Sequence, residues 1–528
     1  MSGRLLITAI ALISAGSINA QAIPESQRQN PWFLDGQAHV NSRLENQTRQ
    51  AGVSQAKNVI LFVGDGMGIS TLSAARILGG QRMGGDGEEA SLSFEGFAHT
   101  ALVKTYNVNA QIPDSSGTMT AMMSGIKTNA GVVGVNPSVV MGNCRVEAGN
   151  ELPSALDLAE IKGLATGLVT TTRVTHATPA ATYAKSANRG WEDISDQSAE
   201  VIEQGCEDIA SQLVNFQQNL ESRFPGADVD GIDVVLGGGR RHFLPTSPEE
   251  DLMPVYGQGS GDRTDERNLI AEWTQTYPDG RYLFDAAGLD ALDVNVSTNV
   301  LGLFSSSHMQ YEADRAVNEA AQPSLSEMVF KAIEVLRNDP DGFLLVVESG
   351  RIDHAHHAGN AYGALSETLE LSNAVSIAQD LTNASDTLIM VTADHSHVMT
   401  FAGYPRRGNP ILGKVVSAGG VNPALASDGL PFTTLGYANG RGFRDYGDNT
   451  DPDKTYSDPV VGGRQNLTDV DTQAPGFHQE ALVPLVAESH AGEDVALHAT
   501  GAGAFRVQGT IEQNLIFHVI NQALGLTR

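Results

Sequence analysis

The chain has 528 residues, 41% of them hydrophobic, and carries 62 acidic against 33 basic side chains for a formal net charge of -29. Enough apolar residue is present to bury a large core, which excludes general disorder, and the charge excludes duplex nucleic acid and anionic membrane as partners. Only eight of the basic residues are Lys, so the expected surface is an acidic shell of the kind suited to a salty medium.

Residues 1–22 read as a secretory signal peptide: Arg4, an apolar run from Leu5 to Ile13, then Ala20-Gln21-Ala22 as a small-residue cleavage site. The run is too short for a membrane span, which needs about 18 apolar residues. Residues 23–528 are then one catalytic domain, periplasmic or secreted, without a membrane anchor. Short β-branched runs follow at Asn58 to Val63, Thr166 to Thr172, Ile232 to Leu236, Gly342 to Val347 and Thr387 to Thr392. Helical patterns lie between them at Pro153 to Lys162, Asp193 to Leu213 and Ser324 to Asn338, with a C-terminal amphipathic helix over Ile511 to Arg528. This alternation predicts an α/β fold with a largely parallel sheet. From Ala402 to Pro475 the chain turns to Gly, Asn, Asp and Pro, the texture of an ordered surface insertion. Cys144 and Cys206 are the only cysteines. In an oxidising compartment they favour one disulfide, with two buried thiols as the alternative.

Each strand pattern runs into chemistry. Val63 leads to Gly64-Asp65-Gly66, Thr172 to Arg173-Val174-Thr175-His176-Ala177-Thr178, Val347 to Glu348 and on to Asp353-His354 and His357, and Thr392 to Asp394-His395. Carboxyl ends of parallel strands converge on one edge. Asp and His gathered there are ordinary ligands of zinc. Asp353 and His357, four apart, share a helix face, and His490 adds an imidazole from the C-terminal part. Ser115, at the start of a helix that ends near Gly125, faces oriented N–H groups that favour a bound oxyanion. Beside a metal its hydroxyl loses a proton without needing a catalytic triad. Arg189 offers a planar fork that matches two phosphate oxygens. Together these groups point to metal-assisted phosphoryl transfer.

In these motifs the sequence closely resembles the alkaline phosphatase family from about Lys57 onward: Gly64 to Gly68, Pro113-Asp114-Ser115-Ser116-Gly117-Thr118, Thr175 to Pro179, Glu348 to His357, Thr392 to His395 and Glu488 to Asp494. The resemblance implies hydrolysis of phosphate monoesters through a phosphorylated Ser115, with Arg189 holding phosphate. It implies two zinc ions, one on Asp353, His357 and His490 and one on Asp65, Asp394 and His395. One magnesium would lie on Asp65, Thr178 and Glu348. His176 and His354 match the animal-type and marine bacterial members, near magnesium and phosphate respectively, and Ser116 stands where a small residue is usual. The same resemblance implies a Cys144–Cys206 disulfide, a central sheet sandwiched by helices, a homodimer, and a crown-like role for 402–475. The competing readings are a phosphodiesterase or phosphonate hydrolase on the same fold, disfavoured by Arg189 with the full magnesium set, and a secreted phosphate- or metal-binding protein, which needs no Ser115.

Overall fold

A computed structural model describes residues 55–146, 149–247, 260–295, 299–315, 321–445 and 458–527. The leader expected at 1–22 lies outside the described residues. A ten-stranded sheet organises the chain. It contains β1 (Asn58–Gly64), β2 (His99–Lys104), β3 (Ala165–Arg173), β4 (Val234–Gly238), β5 (Arg281–Leu283), β6 (Val300–Leu303), β7 (Phe343–Ser349) and β8 (Thr387–Ala393), with later strands at Val495–Gly501 and Gly509–Glu512. Across the sheet the order is Gly509–Glu512, β2, Val495–Gly501, β8, β1, β7, β3, β4, β6, β5. Only Val495–Gly501 is antiparallel to its neighbours, β2 and β8; the other pairs are parallel.

The central strands β7 and β8 are buried at every position, and β1 at every position after Asn58. A sheet covered on both faces selects such unbroken apolar runs. Helices Ile69–Arg82, Leu325–Leu336 and Ala361–Leu381 pack as one group, and Ser115–Ser124, Ala155–Lys162, Ala177–Tyr183 and Leu515–Leu524 as another, flanking the sheet. Ser324 and Glu327 close a reciprocal cap on Leu325–Leu336, as their spacing predicts.

Two expected helices differ. Asp193 to Leu213 is a 3-10 turn at Ile194–Asp196 followed by short helices Ala199–Glu203 and Ile209–Val214. Asp193, Ser198 and Asp208 each accept a hydrogen bond from a new helix start, and Gly205 sits at φ +75 between the last two pieces. Competing caps therefore override the apolar period. At the C-terminus the helix begins at Leu515, because Gly509–Glu512 pairs with β2.

Leu435–Gly440, within the 402–475 region, pairs with the flanking strands Met399–Phe401 and Ala481–Pro484 in a separate three-stranded sheet. Isolated bridges join Pro405 to Ser417, Lys414 to Thr433 and Leu425 to Pro431. Tyr404, Val421 and Leu425 are exposed there, at 94%, 84% and 63%.

Candidate active site

Parallel register brings the strand ends level. Gly64 at the end of β1 pairs with Ser349 on β7 and Ala393 on β8, so Asp65, Glu348 and Asp394 meet at one edge, all fully buried. The chain turns sharply after β1, with Gly66 at φ +70 and its N–H donating to Asp394 Oδ1 at 3.0 Å. A Cβ there would stand 2.3 Å from the His397 ring, so only glycine fits both the backbone angle and the space.

Three clusters follow. In the first, Asp353 Oδ1 lies 3.3 Å from His357 Nε2 and 3.3 Å from His490 Nε2. The helix Arg351–Ala358 places Asp353 and His357 one turn apart. His357 Nδ1 donates to the Glu488 carbonyl at 2.6 Å and His490 Nδ1 to the Pro113 carbonyl at 2.8 Å. A carbonyl can only accept, so both rings carry their proton on Nδ1 and turn an Nε2 lone pair inward, the arrangement of a metal-ligating imidazole. Burial would raise the Asp353 carboxyl, but His357, His397 and His490 outweigh it and hold the group well below its usual range.

In the second cluster, His395 Nε2 lies 3.4 Å from Asp65 Oδ1, 3.2 Å from Asp394 Oδ2 and 3.2 Å from Ser115 Oγ. Ser115 is the first residue of its helix, which is capped by Asp114, while Gly125 ends it in the left-handed region. In the third, Thr178 Oγ1 donates to Asp65 Oδ2 at 3.4 Å and Thr172 Oγ1 to Glu348 Oε2 at 3.0 Å. Ligand atoms of Asp65, His176 and Glu348 lie within 4.8 Å of one another.

The donor sets suit metals. Asp65 Oδ1 and Glu348 Oε1 are buried with no hydrogen-bond partner among the described residues. Burial and then the neighbouring carboxylates Asp394, Asp353 and Glu348 push Asp65 well above its ordinary range, and burial lifts Glu348 to about 7. Carboxylates crowded like this are relieved by divalent cations, which reverse the local electrostatics.

Arg189 Nη1 donates to Asp114 Oδ2 at 3.2 Å, and its Nη2 faces His176 Nε2 at 3.3 Å. A guanidinium only donates, so His176 Nε2 accepts. His354 likewise accepts at Nδ1 from Arg351 Nη1 at 2.6 Å. Its ring lies 5.4 Å from that of His176 and 4.2 Å from that of His308. Cys144 and Cys206 are joined, with Cα atoms 6.1 Å apart, and pack on a small apolar cluster that includes Ala187 and Trp191 on either side of Arg189.

The candidate nucleophile, clamp and metal-ligating residues singled out in the sequence thus gather at this edge, with the cysteine pair set apart beside Ala187 and Trp191. His397 and Glu488 were missed. His397 Nε2 lies 2.7 Å from Asp353 Oδ1 and its Nδ1 2.5 Å from Glu488 Oε2. Burial opposes its charge, but Glu488 and Asp353 raise it to about 10. Its signal was its place two residues after His395, on the same face of an extended segment.

The sequence model of the family described as "Alkaline phosphatase" matches residues 56–526. The chain belongs to the alkaline phosphatase family. It is 42% identical to the tissue-nonspecific isozyme of alkaline phosphatase from Gallus gallus over 522 residues, covering 98% of this chain and 93% of that one. It is 41% identical to an alkaline phosphatase from Gadus morhua, covering 95% and 97%. Among solved structures, Thermus thermophilus alkaline phosphatase aligns with a TM-score of 0.61 at 24% identity, covering 96% of each chain. The enzyme from the Antarctic bacterium TAB5 aligns with a TM-score of 0.57 at 20% identity, covering 90% of this chain and 100% of that one; these two likenesses concern the fold. The activity of this alkaline phosphatase is hydrolysis of phosphate monoesters, and its residues form clusters able to bind metal ions.

Proposed function

We propose that this alkaline phosphatase works through a phosphoserine on Ser115. Zinc is assigned to Asp353, His357 and His490 and to Asp65, Asp394 and His395, and magnesium to Asp65, Thr178 and Glu348. The observation that carries the reading is Ser115 Oγ, first in its helix and 3.2 Å from the inward Nε2 of His395. When bound, the ions supply Lewis-acid charge that lowers the proton affinity of coordinated oxygen and offsets charge on phosphate. Ser115 Oγ forms a bond to phosphorus as the ester P–O bond breaks and the alcohol leaves; water then attacks the phosphoserine, releasing inorganic phosphate and restoring Ser115. Arg189 holds two phosphate oxygens, steadied by Asp114 and His176, and His354 acts on phosphate through water.

The leader pattern at 1–22 and the Cys144–Cys206 bond support export to the periplasm or the medium, and no described helix is long and apolar enough to cross a membrane. Exposed Tyr404, Val421 and Leu425 support a crown-like role for 402–475 in a homodimer. The metal assignment is tested by chelation and add-back. Activity is expected to vanish on chelation, to return with zinc and to rise further with magnesium; recovery with magnesium alone would overturn the assignment.

A further inference from the structure

Ser116 is fully buried directly behind the proposed nucleophile, and its hydroxyl enters a network that ends on Arg189. The carboxylate of Asp114 accepts five hydrogen bonds. Oδ1 takes Gly117 N–H at 3.1 Å and Asn107 Nδ2 at 2.9 Å. Oδ2 takes Ser116 Oγ at 2.6 Å, Gly131 N–H at 2.9 Å and Arg189 Nη1 at 3.2 Å. The bond from Ser116 is the shortest of the five. Its hydroxyl also accepts from Gly131 N–H at 3.2 Å, and the carbonyl of Gly131 accepts the backbone N–H of Arg189 at 2.9 Å. Ser116 therefore touches both supports of Arg189, the carboxylate that pairs with its guanidinium and the peptide that anchors its backbone.

Asp114 and a phosphate group compete for the same guanidinium. A short hydroxyl bond to Oδ2 draws off part of the charge that Arg189 would otherwise meet, and so weakens the competitor. We infer that Ser116 is a positioning residue that sets the phosphate affinity of the site by moderating the Asp114–Arg189 pair. This rests on the reading of Arg189 as the phosphate clamp. Removing the hydroxyl leaves Asp114 Oδ2 with fewer donors, draws Arg189 toward it and weakens phosphate binding. It leaves Ser115 and the metal-ligand clusters in place.

The test measures inorganic phosphate binding, as the competitive inhibition constant and by equilibrium dialysis, on the metal-loaded enzyme and its variants. Ser116→Ala is expected to raise both constants and KM three- to tenfold with kcat unchanged or higher, because product leaves more readily. In an Asp114→Asn background, where the competing charge is gone, the same substitution is expected to change them less than twofold. Constants within twofold of the parent, or an equal rise in both backgrounds, would overturn the inference. So would a loss of kcat with phosphate affinity intact. Arg189→Ala separates the two readings. If it leaves phosphate affinity unchanged, the clamp itself is misassigned; if it weakens binding while Ser116→Ala does not, only the role of Ser116 falls.

Discussion

At the carboxyl ends of β1, β7 and β8, the buried carboxylates Asp65, Glu348 and Asp394 share their space with the imidazoles of His395 and His176. At the amino ends of β3 and β4, buried Glu160 and half-buried Asp233 share a threonine: Thr166 N–H donates to Asp233 Oδ2 at 2.8 Å and Thr166 Oγ1 donates to Glu160 Oε1. Burial and then Asp230 and Asp339 lift Asp233 to about 8, and burial with Asp233 lifts Glu160 well above its usual range. Both edges thus face the cost of burying charge. One gathers nitrogen and oxygen donors that fit cations; the other meets the cost by holding protons. A buried carboxylate therefore marks chemistry when imidazoles converge on it, as His357 and His490 do on Asp353 with their Nδ1 atoms held by carbonyls, and marks local structure when no imidazole joins its peptide N–H and hydroxyl partners.

The largest effect that would break this contrast is expected from His490→Ala. Loss of an inward Nε2 is expected to remove one zinc per chain and to lower kcat on the order of a hundredfold or more. Metal analysis after gel filtration checks it, and full metal content in the variant would count against the first cluster as a metal site.

A smaller effect is expected at the opposite edge from Asp233→Asn. The carboxyl of Asp233 is raised from 3.8 to about 8 in the folded chain, so the unfolded chain releases this proton first as pH rises. The stabilisation is complete below 3.8 and is lost as pH rises through about 8. Asn, which cannot ionise, is expected to flatten the fall of melting temperature across that window with metal content and kcat unchanged. Parallel melting curves for variant and parent would show that Asp233 is already ionised in the fold.

The smallest effect belongs to neither edge but to the acidic shell. The Debye length shrinks from about 10 Å at 0.1 M salt to about 3 Å at 1 M, so the melting temperature is expected to rise over that range more than in sucrose of equal osmolality, which does not screen charge. An equal rise in sucrose would leave the net charge of -29 as a solubility feature.

How much of this was legible in the sequence follows from how local each signal is. β1, β7 and β8 stood out because burial on both faces leaves no polar position to blur the run. The strand at Val495–Gly501 did not, and neither did β2, whose side chains alternate between buried and exposed along His99–Lys104. Ser115, Asp65, Asp394 and His395 were readable because each follows or opens a recognisable element. His397 carried a weaker signal, its place two residues after His395, because the pairing that brings it to the site is antiparallel and joins it to His490, 93 residues along the chain (490 - 397 = 93). A register set between such distant segments is hard to read in either one alone. The break-up of Asp193 to Leu213 was missed for the converse reason: its caps are local, but the apolar period runs on through them.

Rapid acid quenching of the metal-loaded enzyme with a phosphomonoester, followed by peptide mass spectrometry, tests whether Ser115 carries the phosphoryl group. One phosphoryl group is expected on the peptide containing Ser115, localised to that residue and absent from Ser115→Ala. A phosphoryl group on a different residue, or one that persists in Ser115→Ala, would contradict it.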